Sequence, residues 1–136
     1  MPDDLRIPIT SDVDIVQARQ KGRDLAAGNG FTPGDQTVIA AAISEIARNI
    51  VLYARRGEIV FRAVNDGERK GLLVVARDEG PGIRDLERAL QDGYSTSGGL
   101  GLGLPGARRL MDEFDIVSAP GQGTTVTMKK WSRDRG

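Results

Sequence analysis

The sequence predicts a single α/β domain, and three features of its 136 residues lead there. Two stretches, starting near Ile15 and Val38, repeat their apolar residues at helical spacing. Residues 59–76 then change to strand-like runs on either side of the turn sequence Asn65-Asp66-Gly67, which predicts a hairpin. After a glycine-dense stretch, one short helical pattern and two further strand patterns follow.

Leu5 to Ile9 alternates apolar and polar residues, and Pro8, which cannot donate to a ladder, suits an edge strand. Ser11 is placed to cap the first helix, with Asp14 in capping-box position. Ile15, Ala18, Gly22, Leu25 and Ala26 share that helix's apolar face, and Gly28-Asn29-Gly30 stops it. Thr32 opens the second helix as N-cap, with Pro33 at the first helical position and Asp35 at the third. Its apolar face runs through Val38, Ile39, Ala42, Ile43, Ile46, Ile50, Tyr53 and Ala54 until Arg55-Arg56-Gly57 ends it. Glu45 and Asn49, four apart, stack on one flank of this face.

Ile59 to Val64 forms the first strand of the hairpin. Leu72 to Ala76 is apolar at successive positions, which predicts a central strand covered on both faces and delivers Asp78 at its end. The stretch Asp78-Glu79-Gly80-Pro81-Gly82-Ile83 cannot continue a strand, and its glycines let backbone pass close to a ligand. Short helices are expected over 85–91 and 104–114, a strand over 115–118, a turn over 119–123 and a closing strand over 124–128. Residues 1–131 read as the domain, and 132–136 as a frayed tail.

Composition narrows the function. Nineteen basic residues balance nineteen acidic ones, so no global field points to nucleic acid or to a membrane surface. Without cysteine there is no disulfide framework, thiol nucleophile or cysteine metal site, which fits a cytoplasmic protein. The absence of histidine excludes a Ser-His-Asp triad, a histidine metal site and a phosphohistidine. The N-terminus lacks a signal h-region, and no apolar run is expected to reach membrane-spanning length.

The stretch Ser95 to Gly106 is the strongest local signal, because a glycine-rich loop opening a helix presents N–H groups and a positive dipole end to phosphate. A Walker loop would need Lys and Ser or Thr after its last glycine, whereas Ala107-Arg108 follows Gly106. Gly101 to Gly106 fits G-x-G-x-x-G, but loop precedes it and no acid lies near Val126, against a dinucleotide fingerprint. Leu100, Leu102 and Leu104 alternate with the glycines, which a plain flexible linker would not require.

Singly, Glu45 reads as a solvated flank residue, Asn49 as a local hydrogen-bonder and Asp78 as a turn residue. Their order is more informative. Glu45-Ile46-Ala47-Arg48-Asn49, Asp78-Glu79-Gly80-Pro81-Gly82, Gly99-Leu100-Gly101-Leu102-Gly103 and Gly123-Thr124-Thr125 together resemble the Bergerat (GHKL) ATP-binding superfamily. Within it, the chain is most similar to the serine/threonine kinases of bacterial partner-switching pathways, in the stressosome switch-kinase branch rather than the anti-sigma branch. The resemblance implies a two-layer α/β sandwich: a mixed, largely antiparallel sheet, helices on one face, and ATP between the layers.

By the same resemblance, Asp78 accepts from the adenine amino group, Gly80, Gly82 and Ile83 lie against the base, and Thr124 helps hold it. Asn49 supplies an oxygen to Mg²⁺, Gly99, Leu100, Gly101, Leu102 and Gly103 enclose the phosphates, and Glu45 is the general base. Arg48 touches phosphate or partner, or is simply a surface arginine. The implied partners are STAS-domain substrates of scaffold or antagonist type and a downstream PP2C-type phosphatase. A sequestering switch that uses nucleotide only to change partner is the alternative from another class.

Overall fold

The computed structural model describes residues 4–82 and 103–132. In chain order the elements are β1 (Leu5–Ile9), α1 (Asp12–Gly28), α2 (Pro33–Asn49), a π-helical turn (Ile50–Ala54), β2 (Gly57–Asn65), β3 (Lys70–Asp78), α3 (Gly103–Leu110), β4 (Glu113–Ser118) and β5 (Thr124–Trp131). The five strands form one sheet in the order β1-β2-β3-β5-β4. Every described pairing is antiparallel, so the sheet is not mixed as expected.

β1 occupies an edge, where the missing N–H of Pro8 interrupts no inner ladder. β3 is central, as its apolar run implied, but only one of its faces is deeply covered. Phe61, Val74 and Met128 stand opposite one another across β2, β3 and β5, as do Ile59, Ala76 and Val126 one row on, and all six are buried. The alternate residues Leu73 and Val75 stay half-buried, in rows with Arg62, Lys129, Val60 and Thr127. The helices lie on one side of the sheet, so the expectation of cover on both faces is corrected.

Ile39, Ile43 and Ile46 of α2 are buried with Ala18 and Ala26 of α1 and Leu104, Ala107 and Met111 around α3. α2 is therefore the spine of the helical layer. With the π turn it spans 22 residues at mean hydropathy 1.4 over its most apolar window, enough by length and composition to cross a membrane, contrary to expectation. Its burial against the sheet explains that composition instead. Gly22 is where α1 and α2 come together, since a Cβ there would lie 2.1 Å from Ile43 Cδ1.

The helix starts follow local chemistry, with one exception. Thr32 Oγ1 accepts from Asp35 N at 3.2 Å, the expected cap, and Pro33 sits where its missing donor costs nothing. Ser11 makes no side-chain cap; Asp14 Oδ2 accepts instead from the N and Oγ1 of Thr10, at 2.8 and 2.9 Å. The Thr10 backbone and hydroxyl bonds hold the Asp14 carboxyl below its ordinary range, so this exposed contact weakens as pH falls.

Three further boundaries differ from expectation. Helix 104–114 ends at Leu110, and Phe114 pairs with Met128 in β4. β5 continues to Trp131 rather than stopping at 128. Ser132, expected to fray, is buried, with its N bonded to Lys70 O and its hydroxyl to Gly30 O. The expected helix over 85–91 lies outside the described residues.

Ile43→Ala should cost about 2–5 kcal/mol of stability in urea denaturation, because neither Gly22 nor the Phe61 ring can fill the space it leaves. A loss under about 1 kcal/mol would mean that the α1–α2 contact is loose.

Candidate functional site

One end of the sheet carries a row of residues facing the helices. Gly57 of β2, Asp78 of β3, Thr124 of β5 and Ser118 of β4 are register partners across four strands. The row continues the face of Ala76 and Val126, but in place of apolar side chains it carries a carboxylate and two hydroxyls. Polar groups at the end of a buried sheet face need partners. Asp78 Oδ1 accepts from Gly80 N at 2.9 Å, which turns the chain out of β3. Ser118 Oγ donates to Gly123 O at 3.0 Å and lies 2.8 Å from Thr124 Oγ1, so the Thr124 hydroxyl is left to donate to Ser118. Among the described residues, Asp78 Oδ2 accepts nothing.

Two loops lock this end. Gly121 N donates to Pro81 O at 2.6 Å, joining the loop after β3 to the loop between β4 and β5. Gly82 and Gly123 both have positive φ, 77° and 74°. A Cβ at Gly82 would lie 2.0 Å from Ala119 O, and one at Gly123 2.2 Å from Asp78 O. Gly80 leaves no room either, since its Cβ would sit 2.6 Å from Ala54 Cβ. These three glycines are thus required by backbone packing against neighbouring backbone, whatever a ligand adds.

The π turn brings α2 to the same place. Gly57 packs against Ile50 Cγ2 and Asp78 Cβ, so the residue after Asn49 lies beside the carboxylate-bearing strand end. Glu45 stands one turn back along α2, its side chain only 14% exposed, with Arg48 Nη1 3.4 Å from its Oε2. Arg48, left open between a phosphate or partner contact and a surface arginine, is 42% exposed and pairs with Glu45. α3 begins at Gly103, the last residue of the glycine motif, and packs on α2. Ile83, Gly99, Leu100, Gly101 and Leu102 lie outside the described residues.

This arrangement offers a hydrogen-bond acceptor to a nucleotide base. One oxygen of Asp78 is engaged by Gly80 and the other is left to accept from a ring amino group, with the Thr124 hydroxyl on the next strand. No three of Asp, Glu, His and Cys among the described residues cluster as a metal site. Asn49 could give one oxygen to a Mg²⁺ completed by phosphate and water, the usual preference of that ion. Sequence reasoning missed Ser118 and Ala54. An alternating strand pattern marks Ser118 as inward-facing, but nothing in the sequence marks it as the partner of Thr124.

Residues 9–130 match the model of the histidine kinase-like ATPase domain, and the chain belongs to that family. Within it, the chain is 51% identical over 98% of its length to the whole of the serine/threonine-protein kinase RsbT of Bacillus subtilis. It is 33% identical to an anti-sigma F factor of a Thermoanaerobacter species, over 68% of each chain. Two solved structures share the fold. The mycobacterial sensor histidine kinase MprB matches with TM-score 0.57 and 16% identity, over 98% of this chain and 99% of its own. The SiaB–SiaC complex of Pseudomonas aeruginosa matches with TM-score 0.58 and 17% identity, over 93% and 89%.

The clamp is tested by two alanines. Gly121 has positive φ but open space around its Cβ position, whereas Gly123 has positive φ and the Asp78 carbonyl in the way. Gly121→Ala should cost about 1 kcal/mol, the conformational penalty alone, and Gly123→Ala clearly more. Equal losses in chemical denaturation would show that the β3–β5 loop contact is not tight.

Proposed function

We propose that the chain is a Mg·ATP-dependent serine/threonine protein kinase acting on STAS-domain partners of scaffold or antagonist type. Released from them, it activates a PP2C-type phosphatase in a bacterial stress partner-switching pathway. The single observation that carries this reading is the 51% identity over the full length of a serine/threonine-protein kinase. The reading treats residues 1–131 as one ATP-binding domain and puts the chain in the cytoplasm, the compartment that supplies ATP.

When bound, Mg·ATP supplies the transferable phosphoryl group and the charge neutralisation that its transfer requires. Asp78 accepts from the adenine amino group, which guanine lacks at that position, and Thr124 holds the base from the neighbouring strand. Gly80, Gly82 and Ile83 lie against the base, while Gly99 to Gly103, including Leu100 and Leu102, surround the phosphates. Asn49 holds Mg²⁺ through its amide oxygen. Glu45 takes the proton of the attacking serine or threonine hydroxyl, and the Arg48 guanidinium lies 3.4 Å from its Oε2.

The anti-sigma F relatives support a second reading, a sequestering protein that uses nucleotide only to change partner. Single-turnover transfer of labelled γ-phosphate to STAS-domain candidates separates the two. Glu45→Gln should slow transfer by about 10²–10⁴-fold with ATP affinity and partner binding kept, since it removes the basic carboxylate and its ion pair with Arg48 while keeping the shape. Asn49→Ala should abolish transfer without unfolding the helix, because alanine is a good helix former. Partner and ATP binding by the wild type with no label transferred would favour the sequestering reading.

A further inference from the structure

We propose that Ser118 is a specificity-determining residue of the nucleotide site. It binds the proton of the Thr124 hydroxyl, so Thr124 meets the base only as an acceptor and turns away a base with a carbonyl where adenine carries its amino group. The inference rests on the kinase reading and deepens its preference for adenine. Ser118 is a positioning residue in it, acting through Thr124.

The direction of the hydrogen bonds follows from their fixed end. A carbonyl oxygen can only accept, so the Ser118 hydroxyl, 3.0 Å from Gly123 O, is the donor there. With its single proton engaged, Ser118 Oγ can only accept from Thr124 Oγ1, 2.8 Å away. The Thr124 proton is thereby committed, and Oγ1 keeps only lone pairs for a ligand. The bonds run one way, from Thr124 to Ser118 to Gly123 O, and they end on main chain with little freedom. Gly123 has φ 74°, and a Cβ on it would collide with Asp78 O, so the packing of the β4–β5 loop against the end of β3 holds this residue.

Thr124 is the register partner of Asp78 on one side and of Ser118 on the other, so the three side chains stand in one row. A carboxylate is an acceptor only, and Asp78 Oδ1 already accepts from Gly80 N. The row therefore presents Asp78 Oδ2 and Thr124 Oγ1 from neighbouring strands, both with lone pairs and neither with a proton to give. Facing side chains on neighbouring strands stand about 4.5–5.5 Å apart at Cβ. Two acceptors that each lie about 2.9 Å from one amino nitrogen, along its two N–H directions, are about 5 Å apart. The spacing suits an exocyclic amino group. A carbonyl oxygen in that place would face two acceptors and no donor. Threonine alone would not discriminate, because its hydroxyl turns to donate or to accept as the base requires. Ser118 removes that freedom.

The test uses the full chain and calorimetric titration, with Mg²⁺, of three nucleotides that differ at purine position 6. ATP carries an amino group there, inosine triphosphate a carbonyl and purine riboside triphosphate a hydrogen. The wild type should bind ATP most tightly and inosine triphosphate least. Ser118→Ala frees the Thr124 hydroxyl to donate, so affinity for inosine triphosphate should rise about two- to tenfold, the worth of one neutral hydrogen bond, while the other two nucleotides bind nearly as before. Thr124→Val tests the same claim without touching Ser118: it removes an acceptor, so ATP should weaken about two- to tenfold and inosine triphosphate should not. In Ser118→Ala combined with Thr124→Val, inosine triphosphate should gain nothing over Thr124→Val alone, because the gain passes through the threonine hydroxyl. An unchanged ratio of ATP to inosine triphosphate affinity in Ser118→Ala would overturn the proposal and leave the adenine reading standing, as would an equal loss of all three nucleotides, the mark of a purely structural role. Weakening of inosine triphosphate as much as ATP in Thr124→Val would overturn it too, since the hydroxyl would then donate to the base in the wild type. Equal affinity of the wild type for ATP and inosine triphosphate would overturn the adenine reading and this proposal together.

Discussion

Asp78 can stand at the end of β3 with one oxygen uncommitted because the backbone around it approaches too closely to admit side chains. Gly57, Gly80 and Gly123 each lie where a Cβ would meet Asp78, its carbonyl or the Ala54 that backs its loop, and Gly82 locks the same loop against Ala119. The result is a carboxylate fixed by a bond from Gly80 N and surrounded by main chain. A polar group so placed is preorganised: its orientation does not have to be bought from ligand binding. The hydroxyls of Thr124 and Ser118 extend the row, and their mutual bond fixes the direction in which Thr124 points.

α2 ties that row to everything else. Its inner face is the core of the helical layer, its flank carries Glu45 and Asn49, and its π-wound end packs Ala54 on the loop of Asp78. α2 thus joins the flank of Glu45 and Asn49 to the row at the end of the sheet. A substitution that shifts α2 along its axis should disturb both together.

Much of this was legible in the sequence, because the strongest signals were local. Thr32-Pro33 at the start of α2, Gly28-Asn29-Gly30 at the end of α1 and the Asn65-Asp66-Gly67 turn each encode their own backbone geometry. What failed depended on distant neighbours. The apolar run of β3 could not reveal that only one face meets helices, and the periodicity of α2 could not reveal a π turn that moves Tyr53 outward. Asp14 bonds Thr10 rather than completing a capping box with Ser11, a choice between adjacent donors that pattern alone does not decide. Phe114 fell into a helical pattern by spacing but pairs with Met128, a partner fourteen residues away that the local window does not contain. Ser132 is held by Gly30 and Lys70, one contact across most of the chain and the other across the sheet. The candidate site was legible as an ordered set of motifs, and its packing logic was not: the glycines proved to be spacers between loops.

In the proposed function the half-buried carboxylate of Asp78 accepts from the adenine 6-amino group, where guanine carries a carbonyl oxygen. Calorimetric titration of the wild-type chain with ATP and with GTP, both with Mg²⁺, tests it most directly. ATP should bind more tightly by about tenfold to more than a hundredfold, the difference expected when a charge-assisted hydrogen bond worth about 1.5–3 kcal/mol is made to one base and not the other. Equal affinity for the two nucleotides would contradict it.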